Sequence, residues 1–376
     1  MSPSDKEALI SLCPQELHPI AQKVIDRTRL STDDGLLLFS TPHLSSLQAL
    51  ADFARRRSIG DAVFYASTLH IYPTNLCELS CPMCSFYAKP GSPKAWFLEP
   101  QMIEEKVRAA LPSGISEVHI VSGLWKECTL DYYKEVFQRI RALDRTLHIK
   151  ALTPVEYDFL AKIHYLSVQE VLKKMISWGL SSIPGGGAEI LNDEIRKKVA
   201  PGKISSQRFL DIHKEAHMLG LPTNVSMLFG HIENESHILE HLDKIRQLQD
   251  LTFGFHTFVP LKYHCENNAL GKIQALLKPK DSRRIYAISR LMLDNVPNIK
   301  VLWNYMDLQA ASEILFWGAN DIGSVTSGEQ VATLAGGVQM TVTEEILENV
   351  IRSAGRSPMK VHSAHTLSTS NRSGRI

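Results

Sequence analysis

The chain has 376 residues, 44% hydrophobic and 22% charged, with 21 glycines and 18 prolines. These proportions exclude collagen, coiled-coil and globally disordered architectures, and the length allows a large apolar core. Lysine plus arginine number 41 against 40 aspartate plus glutamate, so no long-range field draws the protein to nucleic acid or an anionic membrane.

The N-terminus, Met1-Ser-Pro-Ser-Asp-Lys-Glu-Ala8, lacks the basic-then-apolar order of a secretory signal. No stretch approaches the ~20 apolar residues of a membrane span, so a cytoplasmic protein is expected. Residues 1–55 read as a helical extension, with Leu9, Ile20, Val24, Leu44, Leu47 and Leu50 at mixed three- and four-residue spacing. The run Arg55-Arg56-Arg57 is expected as a solvated helix end, favoured by the helix dipole.

From about residue 62 short apolar runs alternate with amphipathic ones. Strands are predicted at Thr68–Ile71, Glu117–Val121, Leu147–Ala151, Ser181–Ile183, Pro222–Leu228 and Thr257–Val259. Helices are predicted at Glu99–Ala110, Leu130–Leu143, Val168–Trp178, Ser205–Leu219 and Glu235–Leu248. This alternation indicates an α/β fold built of βαβ units, closed as a barrel over residues 56–320. Residues 321–376 are expected to form a C-terminal helical region, with about the last 15 residues frayed.

Of six cysteines, Cys13, Cys128 and Cys265 are isolated, while Cys77-Glu-Leu-Ser-Cys81-Pro-Met-Cys84 is a tight cluster. In a reducing compartment such a cluster speaks for metal or catalysis, not disulfides. It follows a predicted strand, and barrel active sites sit on the loops after strands. Three readings stand: structural zinc, which wants four closed ligands; a ferredoxin-type cluster, which wants four cysteines; and a three-cysteine cluster leaving one iron open. No second CxxC and no fourth clustered cysteine is present, which favours the third.

Cys77-x3-Cys81-x2-Cys84 resembles the signature of the radical S-adenosylmethionine superfamily, whose fold is a full or partial β/α barrel. The segments Glu117–Leu124, His148–Glu156, Pro184–Leu191, Thr223–Glu233, Gly254–His264 and Leu291–Lys300 look like strand-end motifs of the aminofutalosine synthases within it. The cyclic dehypoxanthinyl futalosine synthases and the radical enzyme of deazaflavin biosynthesis are the near alternatives. A divergent radical enzyme with a modified substrate and a non-enzymatic cluster- or zinc-binding protein are the further ones.

The resemblance implies a 4Fe–4S cluster on Cys77, Cys81 and Cys84, with S-adenosylmethionine on its open iron. It implies addition of a 5′-deoxyadenosyl radical to 3-[(1-carboxyvinyl)oxy]benzoate, a step towards menaquinone. An electron donor such as flavodoxin or ferredoxin is implied as partner. Met83 stands beside the expected adenine position, and Phe86 is a second apolar wall or ordinary packing. Gly185, Gly186 and Gly187 permit close backbone approach to adenosine or methionine, or form only a tight turn. Glu189 and Glu156 are candidates for the ribose hydroxyls or the methionine ammonium; surface carboxylates are the alternative.

His231 and Glu233 could hold a substrate carboxylate and shuttle a proton, with a purely structural hydrogen-bonding role as the alternative, and His264 is a further substrate-site residue. Lys150 and Arg196 are candidate cations for the substrate's carboxylates. His237 and His241, four apart, read as a solvated helix face in preference to a metal pair. Val121-Ser-Gly-Leu-Trp125 departs from the family's paired-glycine turn, leaving Gly123 and backbone carbonyls for the amino group of S-adenosylmethionine. Gly318–Ser324 also departs from the family pattern.

Overall fold

Short β-branched and aromatic runs form the staves of a parallel barrel. The computed structural model describes residues 3–273, 276–338 and 340–362. In it β1 (Ala62–Ile71) pairs with β2 (Glu117–Ile120), and β2 with β3 (His148–Ala151). A second sheet holds β4 (Thr223–Phe229), β5 (Phe255–Lys262) and β6 (Asn298–Ile299), and β7 (Asp321–Ser327) lies on the far side of β1. Single parallel bridges close the ring, from Lys150 to Ser182, Ile183 to Thr223, and Lys300 to Asp321. The segment at Ser182 and Ile183 is thus the stave between β3 and β4. All these pairings are parallel, so the strands' carboxyl ends share one rim. A last strand, β8 (Ser357–Lys360), pairs with the first residues of β1, away from that rim.

The helices between staves form where apolar stripes meet polar caps. In Leu130–Leu143 the residues Val136, Phe137 and Ile140 are buried, and Thr129 Oγ1 accepts from Tyr132 N–H at the start. Ser167, Ser205 and Asn234 cap Val168–Trp178, Ser206–Met218 and Glu235–Thr252 in the same way. Each such cap is worth about 1 kcal/mol. The N-terminal helices Pro3–Ser11, His18–Asp26, Thr32–Ser40 and Leu44–Ile59 share one core with the β4–β6 half of the barrel. Leu44–Ile59 lies along Ser282–Met292.

Several expectations change. β7 begins at Asp321 and is bonded to β1, so the barrel continues past residue 320, and the region after it carries strands as well as helices. Arg55 is fully buried, donating to Asp52 and to the Gly60 carbonyl, and is no solvated helix end. His241 is also fully buried, its Nδ1 accepting from Leu191 N–H at 2.9 Å; His237 helps cap its own helix. The partner of His241 lies far off in sequence, so local spacing does not reveal its burial. The expected fraying of the last residues falls outside the described residues. Among those described, no helix is long and apolar enough to cross a membrane.

Candidate active site

A cavity of about 380 Å³ opens inside the carboxyl half of the barrel. Its wall is built from strand ends and the loops that follow, where barrel enzymes keep their chemistry. Cys77, Cys81 and Cys84 all line it, on the loop after β1, whereas Cys13, Cys128 and Cys265 do not.

That loop is held from outside and from beneath. Lys89 Nζ donates to the carbonyls of Cys77, Glu78 and Leu79 at 2.9, 2.8 and 3.1 Å. A Cβ at Gly123 would sit 2.1 Å from the Leu76 carbonyl oxygen, so only glycine lets the β2 loop pass here. Leu124 N–H approaches Cys77 Sγ, and Phe86 N–H approaches Cys84 Sγ, both at 3.4 Å. Burial pushes the Cys81 thiol up to about 11, against the pull of the nearby Lys203 charge, and raises Cys84 as well. Buried thiols of this kind ionise when a metal supplies the positive charge. They are spread along the wall, and among the described residues no three potential ligands close on a single ion. Three free thiols on one cavity wall, two receiving backbone N–H groups, fit an iron–sulfur cluster.

Met83, Phe86, Gly123, Glu156, Gly185, Gly186, Gly187, Glu189 and His264 line the same cavity. Phe86 also packs against Tyr72 and Trp96, with ring centroids at 5.2 and 5.4 Å, so both of its expected roles are compatible. Ser226 Oγ donates to the Gly185 carbonyl at 2.7 Å, laying the glycine run against β4. Glu189, at φ +48°, forms an ion pair with Lys203 at 2.5 Å. Glu156 is buried and accepts from Ser122 N–H at 2.9 Å and Thr153 N–H at 2.7 Å, tying the β2 and β3 loops together. Burial raises its carboxyl to about 7 against those hydrogen bonds. His264 is bonded through Nε2 to the Tyr305 carbonyl at 3.0 Å.

His231 and Glu233 do not line the cavity. Both are fully buried behind its wall, where the Glu233 carboxylate accepts from the N–H groups of Gly230 and His231 at 2.6 and 2.9 Å. His231 Nε2 lies 3.0 Å from the Leu228 carbonyl. This closes the turn after β4 on itself and does not present it to a ligand. Of the two candidate cations, Lys150 lines the cavity; Arg196 does not, its guanidinium being turned to the carbonyls of Gly187, Ala188 and Ile204.

Residues not singled out in the sequence complete the wall: Lys203, Lys262, Lys300, His70, His119 and Tyr305. Lys203 stands in a Pro-Gly-Lys turn and Lys300 after a two-residue strand, neither of which carries a periodic signal. His70 and His119 alternate with Leu69 and Val118 in strands, and that period-two pattern was the available clue.

A family model described as the Radical SAM superfamily matches residues 71–245, and one described as the CofH/MqnC C-terminal region matches residues 252–369. The aminodeoxyfutalosine synthase of Thermus thermophilus is 35% identical over 92% of this chain and 94% of its own. The enzyme of that name from Streptomyces coelicolor is 33% identical over 91% of each chain. A 5-amino-6-(D-ribitylamino)uracil–L-tyrosine 4-hydroxyphenyl transferase of Methanococcus maripaludis is 34% identical over 90% of this chain and 97% of its own. Among solved structures, methylornithine synthase superposes with a TM-score of 0.72 at 18% identity, over 90% of this chain and 96% of its own. The hydrogenase maturase HydG superposes at 0.71 with 14% identity, over 95% of this chain and 76% of its own. These two share the fold.

Proposed function

The chain belongs to the radical S-adenosylmethionine superfamily, among the aminodeoxyfutalosine synthases and their 4-hydroxyphenyl transferase relatives, and we propose that it joins the 5′-deoxyadenosyl group to 3-[(1-carboxyvinyl)oxy]benzoate in menaquinone biosynthesis. The observation that carries this reading is the Cys77, Cys81, Cys84 wall of a lysine-lined cavity, in a chain 35% identical to such an enzyme over nearly its full length. When bound by those cysteines, a 4Fe–4S cluster supplies the electron, drawn from a donor such as flavodoxin or ferredoxin, that cleaves the sulfonium of S-adenosylmethionine.

The chain's own residues bind and orient. Met83 and Phe86 offer an apolar wall to adenine, and the Pro184–Gly187 backbone lies close enough to the cavity to meet ribose or methionine atoms. Glu189 accepts from the methionine ammonium or ribose hydroxyls with lone pairs beyond those used by Lys203. Glu156 holds the Ser122–Gly123 turn, whose backbone carbonyls would be available to the ammonium. Lys150, Lys262 and Lys300 supply positive charge for a substrate with two carboxylates, and His264 stands at the end of β5 beside it.

In the reaction, C5′ of the adenosyl group bonds to the terminal enol carbon. The aryl ring moves from oxygen to the adjacent carbon, the enol oxygen becomes a ketone, and water takes the departing carboxyl carbon as bicarbonate. One electron enters with sulfonium cleavage and one leaves with the carboxyl group, so the sum needs no oxidant. Addition in preference to hydrogen abstraction requires the two carbons held close and aligned, which a walled cavity provides.

The test is anaerobic incubation with reductant, substrate and S-adenosylmethionine labelled in the adenosyl moiety. Label is expected in a nucleoside product, with one methionine released per product. The archaeal relatives and the C-terminal family model support a second reading, transfer of a 4-hydroxyphenyl group from L-tyrosine. On that reading, tyrosine is consumed and the label leaves as 5′-deoxyadenosine.

A further inference from the structure

The barrel interior next to this cavity is polar where such barrels are ordinarily filled by branched apolar layers. Strand register sets His70 of β1 beside His119 of β2, and His119 beside Lys150 of β3. Thr68 and Glu117 pair one layer lower, and strand alternation puts them on the same face as the row above. Glu117 is fully buried and meets Lys150 Nζ at 2.5 Å. Four staves round the ring, Lys300 meets Asp321 at 3.2 Å. Lys150 and Lys300 line the cavity while Glu117 and Asp321 do not.

Between the two lysines lie two imidazoles in tilted contact, with centroids 5.0 Å apart. His70 Nδ1 and His119 Nε2 are buried and have no hydrogen-bond partner. Burial, reinforced by the Lys150 charge, lowers His70 to about 3 and His119 well below its ordinary value. Both rings are therefore neutral at pH 7, and each carries one N–H. A buried polar group without a partner is costly, and here two of them line a cavity that two ion-paired lysines also line.

We propose that this floor is an anion subsite for a carboxylate of an aromatic acid, with Lys150 and Lys300 as its cations and His70 and His119 as neutral hydrogen-bonding partners. Glu117 and Asp321 act from behind, holding each ammonium towards the cavity. The assignment of the ligand as the ring carboxylate of carboxyvinyloxybenzoate rests on the function proposed above. The enol carboxylate departs during that reaction, so the ring carboxylate is the one that can anchor the molecule throughout. Anchored in the strand layer, it leaves the enol carbon directed towards the cysteine loop beyond the strand ends.

The test is calorimetric titration of the anaerobic holoenzyme with benzene-1,3-dicarboxylate and with the uncharged benzene-1,3-dicarboxamide. The dicarboxylate is expected to bind at least about tenfold more tightly, since charge-assisted hydrogen bonds are the stronger class. The charge-balanced variants Lys150→Met/Glu117→Gln and Lys300→Met/Asp321→Asn are each expected to lose most of that preference. Equal affinity for the two probes, no binding of the dicarboxylate, or undiminished preference in the folded double variants overturns the proposal. The comparison of probes on the unaltered enzyme stands even if a variant does not fold. No turnover is needed, so failure of the function proposed above would show separately, as missing nucleoside product with the dicarboxylate still bound.

Discussion

Glu189 and Lys203 form an ion pair at 2.5 Å on the cavity wall, with Glu189 held in left-handed backbone at φ +48°. A non-glycine residue there stores a cost of about 1–2 kcal/mol, which the surrounding contacts must offset. Those contacts include Leu228 N–H donating to the Glu189 carbonyl at 2.7 Å. The side chains keep only 9% and 19% of their exposure, so neither charge is well solvated without the other. Lys203→Met leaves the Glu189 carboxylate nearly buried and unpaired, and is expected to cost roughly 3 kcal/mol. Adding Glu189→Gln should restore most of that. Denaturant unfolding of the two variants checks it; equal stabilities of the single and double variants would show that the pair is not coupled.

The buried histidines make stability depend on pH. His213 is fully buried between Phe209 and Phe255, with centroids at 4.8 and 5.1 Å, and neither ring nitrogen has a partner. Burial holds its pKa well below 6.5, so the folded protein keeps it neutral while the unfolded chain takes up a proton below that pH. Unfolding then binds protons, and stability is full above pH 6.5 and falls as pH decreases. His217 and His241, lowered to about 3, act in the same direction. His213→Leu removes one such proton. Relative to its effect at pH 7.5, it is expected to favour the fold by about 2 kcal/mol at pH 5. Unfolding curves at the two pH values read this difference, and parallel pH dependence in variant and parent would refute it.

Much of this site was legible because its chemistry is local in sequence. Cys77, Cys81 and Cys84 share one loop, and Gly185 to Glu189 another, so spacing alone brought them to notice. Val168–Trp178 was legible because Ser167 and Glu170 form a capping box before a clean apolar stripe. What stayed hidden depends on distant partners. β6 has only two residues, and β7, Asp-Ile-Gly-Ser-Val-Thr-Ser, is too polar to announce itself; pairing with β1 and a bridge at Lys300 make it a stave. Lys203 gains meaning only when Glu189 is placed beside it. His231 and Glu233 show the converse: a strand-end position predicted access to the cavity, but the turn after Gly230 folds their side chains behind the wall.

The cluster assignment separates the cysteines sharply. Cys81→Ala is expected to lose iron and all cleavage of S-adenosylmethionine, because Cys81 lines the cavity with Cys77 and Cys84. Cys13→Ala and Cys128→Ala should retain both, since neither thiol lines the cavity. Iron analysis and electron paramagnetic resonance of anaerobically purified protein provide the readout. One equivalent of zinc with no iron would remove the assignment.

Glu233 offers a different kind of test, since its carboxylate satisfies two backbone N–H groups in a fully buried turn. Glu233→Ala strands those donors and is expected to cost about 3 kcal/mol of stability. His231→Ala should likewise act on stability, because its ring bonds to the Leu228 carbonyl and lies near Glu233. Turnover per iron-loaded molecule distinguishes this from a part in the chemistry. A large fall in kcat at full loading and unchanged stability would return His231 to the substrate.

The glycine run separates packing from ligand contact residue by residue. A Cβ at Gly185 would lie 2.5 Å from the Val225 carbonyl carbon and 2.6 Å from Ser226 N, in the backbone of β4, where nothing can yield cheaply. Gly187 has φ +89°, and its Cβ would meet Val155 Cγ2 at 2.8 Å, so it is both strained and crowded. Gly186 differs: its nearest neighbour would be Thr153 Cγ2 at 3.2 Å, a side-chain methyl that needs to shift only slightly. Gly185→Ala is therefore expected to abolish folding or stability, Gly187→Ala to cost several kcal/mol through strain and overpacking, and Gly186→Ala about 1 kcal/mol or less. Gly186 lines the cavity in which S-adenosylmethionine is proposed to lie. Gly186→Ala should thus fold, retain iron, and bind S-adenosylmethionine at least about tenfold more weakly, the scale of a modest steric conflict. Affinity measured by equilibrium dialysis on the iron-loaded variant decides the matter. Unaltered affinity would leave the glycine run as a packing device for β4 alone and move the S-adenosylmethionine contact to Glu189 and the Ser122–Gly123 turn.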